Sequence, residues 1–245
     1  MNKIIRGRNN NNKKVKVLFV LQVVLGVMPV LLLIFFVWRE LYKTPITGTV
    51  FIILIFLCNL AYVFLGSKYA VLNSGVKGER RLFRTVKKLH GTNIVFHNLP
   101  VRYKRGRSEL DMLIVCHSGV LIIEVKNHSG TISGSWRDDK WNQRKHYRDG
   151  KVTETLMDNP IKQMRRQRDI VKSILTAAGE DVWIDSVLYF SSPNARLKLS
   201  LRENDYVCCE STELLEFLRA YDHGEVLSKS RMEHISQILR DSAGV

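Results

Sequence analysis

Two long, uncharged hydrophobic segments near the N-terminus place the strongest constraint on how this chain can fold. They cover residues 17–38 and 46–65, and neither contains a charged side chain. A helix needs about 20 apolar residues to cross the hydrocarbon core of a bilayer, so each segment is long enough to span. A cleaved signal peptide would have a shorter apolar core and would leave the second segment unexplained. The sequence therefore predicts a hairpin of two transmembrane helices.

Positive charge is concentrated before the first hydrophobic segment, in residues 1–16. These residues contain six Lys or Arg, whereas the connector between the segments contains Arg39 and Lys43 with Glu40. Because loops rich in Lys and Arg stay in the cytoplasm, the N-terminus is expected there, and a hairpin returns residues 66–245 to the same side. We therefore predict a multi-pass protein of the cell (inner) membrane, with the lipid bilayer as a partner. Residues 1–16 are expected to form a basic cytoplasmic tail that is disordered along its asparagine run, 9–12.

Residues 66–245 have the length and composition of one globular domain. The formal charge of the chain is +15, and the first 65 residues carry +7 of it, which leaves +8 for this domain. A basic surface suits nucleic acid or anionic lipid as a partner, although the positive-inside rule accounts for it equally well. The four cysteines lack the paired spacings of a zinc site, and a reducing compartment argues against disulfides.

Helical and strand patterns alternate along the domain as in an α/β fold. A helical period of apolar residues covers 76–89, and three β-rich runs follow at 93–99, 109–116 and 119–126. The last two runs are apolar at nearly every position, as in strands buried on both faces. The remaining predicted elements are a strand pair around Trp136 and 151–156, a helix at 160–178, a strand at 184–191, and C-terminal helices, the last with a capping box at Ser230 and Glu233.

Three charged residues interrupt the apolar strands. Asp111 lies in the second strand, and Glu124 and Lys126 lie in the third. A two-residue turn at 117–118 sets Asp111 opposite Glu124, and a turn at 118–119 sets it opposite Lys126. Because side chains alternate between the faces of a sheet, both registers place the three charges on one face. A three-residue loop would move Asp111 to the other face.

Two carboxylates buried together remain anions only when a cation neutralises them. Oxygen ligands without a nearby His or Cys favour Mg²⁺ or Mn²⁺. Lys126 would orient or deprotonate a water at such a metal, or stabilise negative charge on a phosphate. Glu79 falls on the core-facing side of its helix and is a candidate for the same site. The structural alternatives are an Asp–Lys ion pair and, for Glu79, a first-turn residue favoured by the helix dipole.

Five short blocks, in order along the chain, resemble the NERD family, the nuclease-related domain. They are GVKGE at 75–79, ELD at 109–111, GVLIIEVKN at 119–127, Gly130 with Trp136, and NPIKQ at 159–163. The chain is thereby similar to the wider restriction-endonuclease-like PD-(D/E)xK superfamily, although Leu110 stands where that motif has Pro. The resemblance covers about residues 75–175 and implies an α/β fold with an αβββαβ core around a central mixed sheet.

The resemblance also implies a role for each matching residue. Asp111 and Glu124 would bind the metal, Mg²⁺ or Mn²⁺, and Lys126 would be catalytic. Glu79 would support the metal, and Gln163 would position the water or Lys126. A polar residue in the first turn of a helix is otherwise commonly just solvated, so the role of Gln163 depends on the resemblance.

Basic and aromatic residues close to these blocks are candidates for nucleic-acid binding. Arg165, Arg166 and Arg168 form a cluster that would meet phosphates. Trp136 and Trp141 are interleaved with cations, as in proteins that bind single strands. The structural alternatives are a solvated helix face for the arginines and a core position for the tryptophans.

We therefore expect a membrane-anchored, divalent-metal-dependent nuclease that hydrolyses phosphodiester bonds of DNA or RNA. The alternative is a catalytically inactive, membrane-tethered module of the same fold that binds nucleic acid or protein, and a lipid-surface scaffold is a third reading. The charged residues at 79, 111, 124 and 126 favour the nuclease, because a module freed from catalysis has no reason to keep them. DNA or RNA as substrate, cleavage at ends or within strands, and the oligomeric state all stay open.

Overall fold

The structure is a computed structural model that describes residues 3–7, 11–41, 48–224 and 226–244. It contains two compact units. One comprises residues 9–76, and the other combines residues 1–8 with residues 77–245.

The first unit contains the hydrophobic helices. Helix α1 covers Asn11–Leu41 and α2 covers Gly48–Val86, and both are long and apolar enough to cross a membrane. Helix α2 continues unbroken beyond residue 65, where the second hydrophobic segment ends, and finishes in the second unit. Asn11 and Asn12, expected in a disordered run, begin α1. Asn9, Asn10, the connector residue Lys43 and residues 46–47 lie outside the described residues.

The two hydrophobic helices are paired in a register that the sequence did not predict. Gln22 and Asn59 lie at similar distances from the cytoplasmic ends of their segments, so the sequence predicts that their amides face each other, the alternatives being that each amide bonds its own helix backbone or reaches toward the lipid headgroups. Instead, a methyl group on Gly66 would lie 2.9 Å from Nε2 of Gln22. Asn59 donates from Nδ2 to the carbonyl oxygen of Ile55, one turn earlier in its own helix, at 2.8 Å. Gly66 lies about two helical turns from Asn59, so a register that sets Gln22 beside Gly66 keeps the two amides apart, and the expected amide pair is wrong.

The N-terminal residues form a strand of the second unit. Strand β1, Lys3–Arg6, pairs in parallel with β2, Ile94–Tyr103. The amide of Gly7 extends the pairing by donating to the carbonyl oxygen of His97 at 2.8 Å, and Nζ of Lys3 lies 3.1 Å from a carboxylate oxygen of Glu233. This part of the expected tail is therefore ordered by the domain.

A six-stranded mixed sheet forms the centre of the second unit. Its order is β1-β2-β3-β4-β8-β10, and its remaining strands are β3 (Gly106–Cys116), β4 (Gly119–Lys126), β8 (Ile184–Phe190) and β10 (Tyr206–Cys208). Strands β2, β3 and β4 are antiparallel neighbours, whereas β4, β8 and β10 run parallel. The predicted strands at 93–99, 109–116, 119–126 and 184–191 are all present in this sheet.

A second, four-stranded sheet is inserted after β4. Its order is β7-β6-β5-β9, with β5 (Gly130–Ser135), β6 (Lys140–His146), β7 (Val152–Asp158) and β9 (Ala195–Ser200). The sequence predicted a strand pair in this region, and the structure has three consecutive strands there. The additional strand, β6, is rich in polar and charged residues, so its sequence gives little apolar pattern to read.

Helices cover both faces of the central sheet. Helix α3 (Pro160–Ala177) and α5 (Lys229–Ala243) pack on one face, and α2 and α4 (Ser211–Ala220) pack on the other. Helix α3 begins as predicted at Pro160, capped by Asn159, whose side chain accepts from the amide of Ile161. Helix α5 is capped by Ser228 rather than by the predicted Ser230. The domain is therefore a mixed α/β structure with the order helix, three strands, helix, strand, interrupted by the inserted sheet.

Candidate active site

The turn between β3 and β4 sets the relative positions of the charged residues. Cys116 pairs with Gly119 and Met112 pairs with Ile123, so the turn has two residues, 117–118, and the next position along the strands brings Asp111 opposite Glu124. Their neighbours of the same parity, Leu113 and Ile122, pack in the cluster that contains α3. Asp111 and Glu124 therefore face α3.

Asp111 is held by the backbone of the neighbouring strand. Its Oδ2 accepts a hydrogen bond from the amide of Val125 at 2.8 Å. Burial and, next, the charge of Glu124 raise the pKa of Asp111 well above its usual value, although the Val125 hydrogen bond and Lys126 oppose the shift. The ionised form of Asp111 is therefore costly in this pocket unless a further cation is present.

Glu124 is the most deeply buried acid of the site, with 2% of its surface exposed. Its Oε1 accepts from Nζ of Lys126 at 2.6 Å, and its Oε2 accepts from Nε2 of Gln167 at 2.7 Å. Both carboxylate oxygens are thus hydrogen-bonded, as a buried charge requires.

Two glutamines of α3 complete the polar network. Oε1 of Gln163 accepts from Nζ of Lys126 at 2.9 Å, which holds the ammonium between an amide and a carboxylate. Gln167 is fully buried, and its Oε1 has no hydrogen-bond partner among the residues that the structure describes. Gln167 was not among the predicted site residues, although two glutamines four residues apart lie on the same face of a helix.

Glu79 reaches this region from α2, on the other side of the sheet. Its Oε2 accepts from Nδ2 of Asn98 at 3.0 Å. Asn98 lies between the paired residues His97 and Leu99 in β2, at the level of Asp111, and its φ of 54° breaks the strand locally. Repulsion from Glu79 contributes to the raised pKa of Asp111. Glu79 thus acts on Asp111 electrostatically and binds Asn98, which was not among the predicted site residues and lies opposite Asp111 in the register of β2 and β3.

The donor set bears on which metal the site fits. Asp111 and Glu124 supply carboxylate oxygens, and within the described residues no three His, Cys, Asp or Glu side chains gather into a metal cluster. Mg²⁺ commonly binds one or two carboxylates and keeps several waters. A cation would offset the burial and the repulsion from Glu124 that raise the pKa of Asp111, and Oε1 of Gln167 could accept a hydrogen bond from a water. The site therefore fits a hard divalent ion held by Asp111 and Glu124.

The nucleic-acid contacts expected around α3 are only partly available. Trp141 is fully buried in the inserted sheet and donates from Nε1 to the carbonyl oxygen of Ser135 at 2.9 Å, so the expected contact with a base is wrong. Arg165 is bound through Nη2 to both carboxylate oxygens of Asp205, at 2.6 and 2.8 Å. Arg166 is exposed and Arg168 half-buried. The sequence predicted the cluster of positive charges, but it did not predict that Asp205 would form an ion pair with Arg165.

Comparison with known proteins supports the resemblance read from the sequence. Residues 74–191 match the sequence model of the NERD family, the nuclease-related domain. An uncharacterized protein of Bacillus anthracis is 32% identical over 71 residues, which are 28% of this chain and 34% of that protein. The match therefore spans about a third of the length of that relative. No solved structure matches the chain significantly.

Proposed function

We propose that this chain is a divalent-metal-dependent nuclease that hydrolyses phosphodiester bonds of DNA or RNA, because residues 74–191 match the nuclease-related domain family. We assign it to the restriction-endonuclease-like PD-(D/E)xK superfamily. The observation that carries the proposal is the array of Asp111, Glu124 and Lys126, partly buried around the fully buried Glu124, which lies on one face of the sheet and is tied to α3 by Gln163 and Gln167.

Each residue of the array has a distinct task in this proposal. Asp111 and Glu124 would hold Mg²⁺ or Mn²⁺, which when bound polarises a phosphoryl oxygen and acidifies water. Lys126 is fixed by Glu124 and Gln163 and would stabilise the negative charge that develops on the phosphate. In the overall reaction, the oxygen of a water bonds to phosphorus, one ester bond from phosphorus to oxygen breaks, and the leaving oxygen takes up a proton. Glu79, through Asn98, would support the electrostatics of the metal site.

Cleavage is expected to require a divalent metal. The full-length chain in detergent, incubated with labelled single-stranded and double-stranded DNA and RNA, should cleave at least one substrate with Mg²⁺ or Mn²⁺ and none with excess chelator. Cleavage that persists in chelator would reject the metal role of Asp111 and Glu124. Binding without cleavage under all of these conditions would instead support the inactive binding module.

We further propose that α1 and α2 anchor the nuclease in the inner membrane as a hairpin. Both helices are long and apolar enough to span. Strand β1 precedes both helices in the chain, yet it pairs with β2 of the domain, which follows them. Residues 3–6 and the domain must therefore lie on the same side of the membrane, as two crossings require, and the six Lys or Arg in residues 1–16 favour the cytoplasm.

Labelling of single cysteines in intact cells tests this topology. In a background without the native cysteines, a cysteine replacing Lys43 should react with a membrane-impermeant reagent added outside. A cysteine replacing the exposed Lys229 should react only after the cells are opened. Labelling of both or neither from outside would contradict the hairpin.

A further inference from the structure

A cavity lies where strands β8 and β10 end, on the face of the sheet that α2 and α4 cover. It has a volume of about 550 Å³, within the range of pockets that hold small ligands. Its wall includes Arg81 and Arg84 of α2, Lys88 just beyond the end of that helix, Ser191 directly after β8, and Ser211 at the start of α4. We call it the basic cavity. Because β8 and β10 are parallel, it occupies the carboxyl edge of the sheet, where α/β proteins commonly bind ligands.

The charges of the basic cavity define the class of ligand that it suits. Among the described residues of its wall, three are cationic and one, Glu210, is acidic. Nη1 of Arg81 donates to Oδ1 of Asn127 at 3.0 Å and to the carbonyl oxygen of Ser191 at 2.8 Å. These neutral acceptors fix the guanidinium without cancelling its charge. A fixed arginine, further cations and hydroxyl groups are the combination that binds phosphate.

The basic cavity is joined to the strand end that carries the proposed catalytic lysine. Asn127, which accepts from Arg81, directly follows Lys126. The amide of Ser191 donates to the carbonyl oxygen of Lys126 at 2.9 Å, and the hydroxyl of Ser191 lies 3.3 Å from Oδ1 of Asn127. Two residues that line the cavity, Arg81 and Ser191, are therefore hydrogen-bonded to Asn127, and Ser191 is also bonded to the backbone of Lys126.

We propose that the basic cavity binds a phosphate of the substrate strand close to the scissile phosphate, and so sets where along the strand the enzyme cuts. This inference rests on the proposed nuclease function. A strand with its scissile phosphate at Lys126 would cross the carboxyl edge of the sheet at Asn127 to meet Arg81, and Arg84 and Lys88 lie on the same cavity wall. A free mononucleotide offers the same phosphate chemistry and is tested separately.

Binding in the presence of chelator tests the cavity without cleavage. The full-length chain in detergent is titrated with a single-stranded 12-mer labelled at one end, as wild type and as the double variant Arg84→Gln/Lys88→Gln. We expect affinity to fall by about tenfold, and the slope of log affinity against log salt to shrink by roughly 1. The matched control, Lys172→Gln/Lys229→Gln, removes the same charge from exposed positions outside the cavity and should bind like wild type.

Cleavage with metal then separates the cavity from the catalytic residues. A dinucleotide has one phosphodiester and no second phosphate for the cavity, so the double variant and the wild type should cleave it at equal rates. On the 12-mer, the double variant should require more substrate and shift its cut positions, with little change in the maximal rate.

Several results would overturn the inference. The first is that the double variant binds the 12-mer as tightly as the wild type. The second is that the control variant loses as much affinity for the 12-mer as the double variant. The third is that the wild type does not bind the 12-mer. Loss of binding of a 5′-mononucleotide by the double variant, with 12-mer binding unchanged, would assign the cavity to a free nucleotide instead. If the wild type binds but cleaves nothing, the nuclease function fails while the binding comparison still decides the cavity.

Discussion

Asp111→Asn and Lys126→Met are each expected to abolish cleavage while changing the stability of the folded protein in opposite directions. Asn removes one of the two carboxylates proposed to hold the metal, and Met removes the positive charge that Glu124 and Gln163 hold in place. Losses of this kind commonly reduce the catalytic rate by roughly 10³-fold or more. The two effects on the stability of the folded protein distinguish an active site from a structural ion pair between Asp111 and Lys126.

Asp111→Asn is expected to stabilise the protein at neutral pH when the metal is chelated. Burial and Glu124 raise the pKa of Asp111 in the folded state above its unfolded value. The stability that this group contributes is therefore present in acid and is lost as pH rises through the raised pKa. Asn can still accept from the amide of Val125 but does not ionise. The advantage of Asn should appear on going from acid to neutral pH, and vanish below the usual pKa of Asp, about 3.9.

Lys126→Met is expected to destabilise the protein under the same conditions. Glu124 is 2% exposed, and Met keeps the length of the side chain but leaves this buried carboxylate without its cation. Removal of one partner from a buried ion pair is strongly destabilising, commonly by about 3–5 kcal/mol. The exposed quarter of Lys126 places the expected loss at the lower end.

Thermal melting from acid to neutral pH in chelator, with cleavage assayed separately, measures both effects. A change of 1 kcal/mol shifts the melting temperature of a domain of this size by about 2–4 °C. Asp169→Asn, which removes the same charge from an exposed position of α3, should change neither property. Full cleavage by either active-site variant, or a lower melting temperature of Asp111→Asn at neutral pH, would contradict the proposed site.

Gly7→Ala is expected to detach β1 from the sheet. The added methyl group would lie 1.8 Å from the carbonyl oxygen of Asn98, a backbone atom that cannot move aside without disturbing β2. Loss of the short β1 ladder, at about 1 kcal/mol for each of roughly three hydrogen bonds, should lower the melting temperature by about 6–12 °C. Because Asn98 also binds Glu79, cleavage should decrease as well.

Hydrogen exchange and a second glycine test this account. Amides of β2 should exchange faster in Gly7→Ala than in the wild type, because β2 becomes the edge of the sheet. Gly75→Ala is the matched control, since its added methyl group meets nothing within 4 Å. Equal melting temperatures of Gly7→Ala and the wild type would show that β1 contributes little to the domain.

Local sequence patterns predicted the elements that bear the site. Near-continuous apolar runs located β3 and β4, and the period-two alternation of strands placed Asp111, Glu124 and Lys126 on one face in either two-residue register. Only the pairing itself chose between these registers. The buried Trp141 shows the limit of composition, because cations beside a tryptophan describe a binding surface and a charged hairpin equally well.

Local sequence patterns could not predict contacts between segments that lie far apart in the chain. Asn98 donates a hydrogen bond to Glu79 from a backbone with positive φ, and the neighbouring sequence does not predict that conformation. Gln167 binds Glu124 across 43 positions in the chain. Strand β1 is four residues long and carries two charges, so it has no strand signature of its own. Its structure comes from the partner strand.

The pairing of β1 with β2 has a consequence for the order of events during synthesis. Lys3 leaves the ribosome early, but its partner Ile94 follows only after both hydrophobic helices have been made. Closing a contact across so long a stretch is slow in a free chain. Insertion of both helices as a hairpin would return β1 to the side where β2 emerges and so shorten the search. In a chain that inserted only one helix, β1 and β2 would lie on opposite sides of the bilayer. Strand β2 would then be an open edge of the sheet, prone to aggregation. Pairing of β1 with β2 would thus occur only in chains whose two hydrophobic helices have been inserted as a hairpin.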